Sequence, residues 1–257
     1  MIKVAVTGAG GRMGQTVCRA VLGAADMELV AAIDPEHAGE PVEGASLELA
    51  SDVAALVAAG AEVVVDFTVI GAARTNIPQY AEHGIHAVVG TTGFTADDLD
   101  EYARLFSAGS ANAVIAPNFT IGAVLMMRFA EIAAPWFESA EIIELHHDRK
   151  VDAPSGTAVR TAQRMAAASH DWTPDPTETH TVPGARGGTV DGIPVHAVRL
   201  RGVFAHQEVV LGTAGQTLTI RHDSFDRDAY MPGVLLAVRE VGSRPGLTIG
   251  LDPLLGV

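Results

Sequence analysis

From residue 2 to about residue 118, short β-branched or small apolar runs alternate with longer stretches of helical composition, the pattern that βαβ units and a parallel sheet produce. The runs at 2–7, 29–33, 63–66, 87–89 and 114–116 are too short for buried helices and read as strands. Between them, 12–24, 47–59, 72–83 and 97–106 read as helices, and Thr95 followed by Asp98 reads as an N-cap with an acidic first turn. Five such strands predict a doubly wound sheet. After Asn118 the grammar changes to an apolar helix (121–137), a strand (141–147), a polar loop, a short helix (155–168) and a Pro/Gly/Thr-rich stretch (170–189). Strands at 195–200, 206–212 and 217–222, joined by glycine-containing turns, favour a mixed or antiparallel sheet. A helix at 233–239 and a strand at 247–251 can rejoin the first sheet. The expected fold is α/β: a Rossmann-type doubly wound parallel sheet from residues 1–118 and 228–257, and a second α+β domain from 119–227 with a mixed sheet.

The chain is 48% hydrophobic and carries a formal charge of −14, which repels phosphate backbones and anionic headgroups, so neither nucleic acid nor a membrane surface is an expected partner. No stretch reaches the roughly 20 uninterrupted apolar residues of a spanning helix, because Arg128, Glu131 and Pro135 break the most apolar one. No secretory leader is read at the N-terminus, and the single cysteine, Cys18, excludes an internal disulfide framework; a cytoplasmic location is expected. Fifteen of the 17 cationic side chains are arginines, and the two lysines are Lys3 and Lys150.

Glycines 8, 11 and 14 stand at three-residue spacing between the first strand and the first helix, in the run Gly8-Ala9-Gly10-Gly11-Arg12-Met13-Gly14. Gly8 permits a tight turn, the next glycine lets backbone amides approach a pyrophosphate, and Gly14 allows helix and strand to pack closely. A glycine-rich turn can also bind nothing. Asp34, about twenty residues further on at the end of the second strand, stands where a carboxylate accepts hydrogen bonds from an adenosine ribose. Its charge disfavours a 2′-phosphate and Pro35 offers no cation, so NADH is the expected cofactor; Arg12 keeps NADPH open. Gly90-Thr91-Thr92-Gly93 and Ala116-Pro117-Asn118-Phe119 lie beyond strand ends, with small residues and amides that suit a nicotinamide ribose and carboxamide, or serve as ordinary loops.

The densest polar segment is Glu144-Leu145-His146-His147-Asp148-Arg149-Lys150-Val151-Asp152, followed by Ala153-Pro154-Ser155-Gly156-Thr157-Ala158. Four of the five residues from His146 to Lys150 can carry positive charge, which makes a local anion site, unless the run is simply a solvated loop. Imidazole exchanges protons near neutrality and a lysine can have its pKa lowered by neighbouring cations, whereas arginine only binds. Retention of Lys150 beside Arg149 therefore points to proton transfer. Ser155-Gly156-Thr157 opens a helix whose N-terminus can hold a carboxylate. Neighbouring imidazoles on opposite faces of a strand chelate poorly and no third ligand follows, so no metal is expected. The other scattered histidines, 83, 86, 170, 180, 196, 206 and 222, read as surface or satisfied core residues.

Taken together, residues 6–14, Asp66-Phe67-Thr68, 90–94, 116–119, 144–158 and Arg186-Gly187-Gly188 resemble bacterial 4-hydroxy-tetrahydrodipicolinate reductases over essentially the whole chain. The resemblance implies NAD(P)H-dependent reduction in diaminopimelate and lysine biosynthesis, with a small dicarboxylate as substrate. It implies His146 as proton donor and acceptor, Lys150 as proton donor, and His147, Gly156 and Thr157 as carboxylate-binding residues. It also implies that the glycine, 90–93 and 116–119 loops hold the dinucleotide, that four copies assemble through the second domain's sheet, and that the domains close on binding. Two departures bear on cofactor preference: Val69-Ile70 replaces a basic residue or histidine followed by proline, and Asp34-Pro35 lacks the basic residue some members carry.

Overall fold

Valine- and alanine-rich runs form strands buried on both faces, and glycine turns deliver them to helices. The computed structural model describes residues 1–257. In chain order its elements are β1 (Ile2–Thr7), α1 (Arg12–Gly23), β2 (Met27–Ile33), α2 (Ala54–Ala58), β3 (Val63–Asp66), α3 (Ile70–Glu82), β4 (His86–Val89), α4 (Ala96–Ala108) and β5 (Ala113–Ile115). There follow α5 (Ile121–Ala133), β6 (Ser139–His146), α6 (Gly156–Ala168), β7 (Gly188–Val190), β8 (Ile193–Arg199), β9 (Ala205–Thr213), β10 (Gln216–Ser224), α7 (Met231–Glu240), β11 (Leu247–Ile249) and α8 (Asp252–Leu255). They form two units, Met1–Ile121 with Tyr230–Val257, and Gly122–Ala229.

In the first unit the strand order is β11-β5-β4-β3-β1-β2, with every pairing parallel. The chain leaves β1 toward β2 and returns on its other side at β3, so the winding reverses between β1 and β3, where open α/β sheets bind ligands beyond the strand ends. α1 and α7 cover one face. The other face carries Ala5, Val64, Ala87 and Ala113, which pack with Leu56 of α2, Ile77 and Tyr80 of α3, and Tyr102 and Phe106 of α4. Burial on both faces explains why these strands lack the apolar/polar alternation of a one-sided sheet.

In the second unit the order is β10-β9-β6-β8-β7, and only β6–β8 is parallel. α6 covers one face with Ala158, Thr161, Ala162 and Met165. Gln207 of β9 donates to Thr161 Oγ1 at 2.8 Å across this layer. Residues 170–187 contain no helix or strand. They are tied down by Arg186, which reaches Asp175 at 2.9 Å and Glu141 at 2.5 Å, while His196 also bonds Glu141.

Two expected helices are corrected. The span 47–59 is helical only at Ala54–Ala58; Leu47 and Leu49 alternate with Glu48, and residues 41–50 fold through a turn at 43–46 that sets an antiparallel bridge from Pro41 to Glu48, beside a parallel bridge from Ile33 to Ala50. The apolar helix stops at Ala133 and continues as a 3-10 turn, Ala134–Trp136, because Pro135 has no N–H to donate. Thr95 and Asp98 form a reciprocal capping box at the start of α4. No helix is long and apolar enough to cross a membrane.

The close approach of α1 to β1 yields a pair of contrasting substitutions. A Cβ on Gly14 would lie 2.0 Å from the Gly8 carbonyl oxygen, whereas one on Gly23, in the same helix, would meet nothing within 4 Å. Gly14→Ala is expected to lower stability by about 1–3 kcal/mol, and Gly23→Ala to leave it unchanged or raise it by up to about 1 kcal/mol, as read by urea unfolding.

Candidate active site

In the first unit, the glycine loop meets the loop that follows β3. Gly8 has φ +74°, and a Cβ there would lie 2.8 Å from the Phe67 carbonyl oxygen. α1 then begins with no side-chain cap and no acid in its first turn, which leaves its positive end available to an anion. Ala9 is buried and donates its amide to Ile33 O at 3.0 Å, Gly11 precedes the helix, Met13 is half-buried, and Arg12 is exposed. These groups fit a dinucleotide pyrophosphate.

Asp34 follows β2 and is already engaged by the protein. Its carboxylate accepts from the Gly10 amide at 3.0 Å and the Glu36 amide at 3.2 Å, and it lies 3.0 Å from His37 Nδ1. That hydrogen bond, with the charge of Asp34, raises the His37 pKa above its ordinary value. His37 was not singled out in the sequence, because only the folded loop brings it back over Gly10.

Asp66 joins two further loops. Fully buried at the end of β3, its Oδ1 accepts from the Thr68 amide at 2.9 Å and the Thr68 hydroxyl at 2.7 Å, and its Oδ2 accepts from Tyr80 at 2.8 Å. Thr91 Oγ1 lies 3.3 Å from Asp66 Oδ1 and 3.0 Å from the Thr68 carbonyl, so the loops after β3 and β4 share one carboxylate. Burial and the Asp66 charge push the Tyr80 hydroxyl well above its ordinary pKa. Gly90 lies against Phe67, whose ring stacks at a tilt 5.9 Å from that of Phe119. Phe119 and Ala116 are buried, while Thr92 and Pro117 are exposed and Asn118 Oδ1 accepts from the Thr120 amide at 2.8 Å. The Phe119 ring is therefore spent in the core.

In the second unit, the polar segment is organised by Glu144. Strand alternation puts Glu144 and His146 on the same face of β6. The Glu144 side chain has 0% exposure, yet its two oxygens receive four contacts. Oε2 lies 2.6 Å from His146 Nδ1 and accepts from Arg199 Nη1 at 2.9 Å. Oε1 accepts from Arg199 Nη2 at 2.8 Å and from the Ser155 amide at 3.0 Å. Burial pushes the Glu144 carboxyl up, but the His146 and Arg199 contacts outweigh it and bring its pKa down to about 2.

The remaining residues cluster around this carboxylate. Arg199 stands beside His146 in the β6–β8 register and also donates to the Asp152 carbonyl at 2.6 Å. Asp152 receives Lys150 Nζ at 2.8 and 3.0 Å, so the neighbour found for Lys150 is an anion, in contrast to the cation considered from the sequence. His147 accepts the Arg149 amide on Nδ1 at 3.2 Å, and Asp148 pairs with Arg201 at 2.7 Å. The cationic run is thus partly neutralised. Ser155 caps α6 through Ala158 N at 3.2 Å; a Cβ on Gly156 would meet nothing within 4 Å, which leaves open space before the first turn, and Thr157 follows. Sequence reasoning gave Glu144, Asp152 and Arg199 no role. The Glu-x-His spacing on a strand was the usable signal for the first.

A depressed carboxylate makes stability pH-dependent in a definite direction. The contribution of Glu144 is fully present above its ordinary value of 4.5 and is lost as pH falls toward about 2. The stability gap between wild type and Glu144→Gln, measured by urea unfolding, is expected to be narrower at about pH 3 than at about pH 6; an unchanged gap would contradict this.

Two family models match the chain from residue 2 to residue 255. The family model "Dihydrodipicolinate reductase, N-terminus" matches residues 2–119, and "Dihydrodipicolinate reductase, C-terminus" matches residues 122–255. The chain is 55% identical to a 4-hydroxy-tetrahydrodipicolinate reductase of Nocardia farcinica, over 99% of this chain and 98% of that protein. It is 53% identical to the enzyme of that name from Mycobacterium marinum over 100% of both chains. A dipicolinate-bound dihydrodipicolinate reductase from Paenisporosarcina sp. TG-14 superposes with TM-score 0.90 at 39% identity, covering 98% of this chain and 99% of that one. An amine dehydrogenase from Mycobacterium smegmatis, at TM-score 0.66 and 13% identity, shares the fold alone. With both family models matched across nearly its full length, the chain belongs to the dihydrodipicolinate reductase family.

Proposed function

We propose that the protein reduces 4-hydroxy-tetrahydrodipicolinate, by way of dihydrodipicolinate, to tetrahydrodipicolinate in diaminopimelate and lysine biosynthesis. The observation that carries this reading is the joining of a proton-exchanging imidazole and a helix N-terminus by one buried carboxylate, Glu144, and of the lysine loop to it through Arg199. When bound, the reduced nicotinamide dinucleotide supplies a hydride to C4 of the conjugated imine left after loss of water. His146 and Lys150 act as the proton source for the enamine carbanion that results, so one hydride and one proton are added across the substrate. His147 and the Gly156–Thr157 helix start neutralise the two substrate carboxylates. Fixed cationic groups stabilise the developing negative charge.

On the cofactor side, Gly8, Ala9, Gly10, Gly11, Arg12 and Met13 hold the pyrophosphate, and Asp34 meets the adenosine ribose. Gly90, Thr91, Thr92, Ala116, Pro117, Asn118 and Phe119 line the nicotinamide end. NADH is the preferred donor, since Asp34 repels a 2′-phosphate, with NADPH accepted as a second donor through Arg12. No metal takes part in this reading. The protein works in the cytoplasm as a homotetramer. Support for assembly comes from the sheet of the second unit, where Ile143, Leu145, Val198 and Val210 occupy strand positions alternating with the buried ones and stay half-exposed.

A coupled assay with pyruvate, aspartate semialdehyde and the upstream synthase tests the activity, run with NADH and with NADPH. Substrate-dependent loss of reduced-nicotinamide absorbance is expected, faster with NADH. His146→Ala and Lys150→Ala are each expected to lower kcat about 10²–10⁴-fold with nucleotide binding intact; near-normal turnover in either removes its assignment. For assembly, Val210→Arg is expected to lower the solution mass measured by light scattering, and an unchanged tetramer mass would exclude this face.

A further inference from the structure

The four contacts to Glu144 restrict what His146 can be. A carboxylate has about four lone-pair directions. Here Arg199 fills one on each oxygen, the Ser155 amide fills a second on Oε1, and His146 Nδ1 occupies the remaining direction at 2.6 Å. With no solvent exposure, Oε2 has no water to turn to. Were the ring in its other neutral tautomer, two lone pairs would face each other at that distance, and a buried acceptor would go without its donor. The proton therefore belongs on Nδ1. Nε2 is then the one ring nitrogen through which His146 can accept or give a proton.

Arg199 carries the same constraint further. Its Nη1 and Nη2 grip both oxygens of Glu144, and Nη2 also takes the Asp152 carbonyl, whose own carboxylate holds Lys150. Its buried Nε has no partner. The fork is thus oriented toward Glu144 and the lysine loop at the cost of leaving one donor unsatisfied, which a residue serving only to fill space would not require.

We propose that Glu144 is the positioning residue of this site, fixing the His146 ring as the Nδ1–H tautomer with Nε2 turned to the substrate, and that Arg199 locks Glu144 and the Lys150 loop into one frame. The inference rests on the assignment of His146 as the proton-exchanging group. Glu144 touches neither substrate nor cofactor in this scheme; it acts through the imidazole. Glutamine is close to isosteric but places an amide where the charged acceptor stood, so Glu144→Gln removes the tautomer bias while largely keeping the packing.

Two measurements test this. In the first, nitrogen-15 NMR of histidine-labelled wild-type protein, with His146→Gln to assign the resonance, reads the tautomer directly. A protonated Nδ1 hydrogen-bonded to a carboxylate is expected, and an Nε2–H tautomer overturns the proposal whether or not any Glu144 variant folds. In the second, Glu144→Gln is expected to lower kcat about 10²–10³-fold with the nucleotide KM unchanged. The same change in a His146→Ala background is expected to cost little more, because the two residues act as a unit. Equal losses in both backgrounds, or wild-type kcat in Glu144→Gln while His146→Ala is impaired, would mean that Glu144 does not work through His146. Wild-type kcat in His146→Ala itself would instead strike the functional assignment, and the tautomer measurement keeps the two failures apart.

Discussion

A carboxylate taken wholly out of water must find donors for both oxygens, and Glu144 finds them on three separate stretches of chain: His146 on its own strand, Arg199 on the neighbouring parallel strand, and Ser155 at the start of α6. The arrangement of the second unit follows from that demand. β6 and β8 must pair with His146 beside Arg199, the intervening loop must return so that Ser155 reaches Oε1, and the Asp152 carbonyl must meet the same guanidinium. A buried ion pair of this kind is weak evidence for stability, since desolvation offsets much of the Coulomb gain. Its value lies in geometry. In the proposed reaction, groups that meet one substrate are referred to one fixed point, and small displacements of such groups are costly to catalysis.

The first unit uses the same device with a different purpose. Asp66 is also fully buried at a strand end, and it gathers Thr68, Tyr80 and Thr91 so that loops from two strands hold a common shape. Asp34, proposed to meet the ribose, does this for the glycine loop, taking the Gly10 amide and His37. A chain with a formal charge of −14 thus uses several acids for internal order around the proposed anion sites. The scarce cations near them, Arg199 and Lys150, are themselves held by acids. In the proposed reaction, anion binding therefore rests on oriented donors and helix ends more than on net charge.

Much of this was readable from residue types. The runs at 2–7 and 63–66 are strands over the expected residues, and the three-residue glycine spacing carries the close helix contact expected of Gly14, because period and backbone freedom are local properties. The segment 47–59 misled because Leu47 and Leu49 satisfy a two-residue period as readily as part of a helical one, and its first residues form bridges, Glu48 to Pro41 and Ala50 to Ile33. Glu144 was legible in principle, being two residues from His146 on a strand. Arg199 was not, because it lies 55 residues from Glu144 and meets it only through the parallel pairing of β6 and β8. Lys150 drew notice for its rarity, but its partner, Asp152, depends on a loop conformation that composition does not reveal.

The proposed reaction divides its labour between the two units: a dinucleotide held by the glycine loop contributes the hydride, and the frame built on Glu144 contributes the proton. Product labelling addresses that division most directly. With reduced dinucleotide carrying deuterium at the transferable position and the reaction run in ordinary water, mass spectrometry and NMR of the product are expected to show a single deuterium, at C4 and in one configuration, with the adjacent new hydrogen drawn from solvent. Product without deuterium at C4, or with deuterium spread over both configurations there, would contradict direct hydride delivery in a site of fixed geometry.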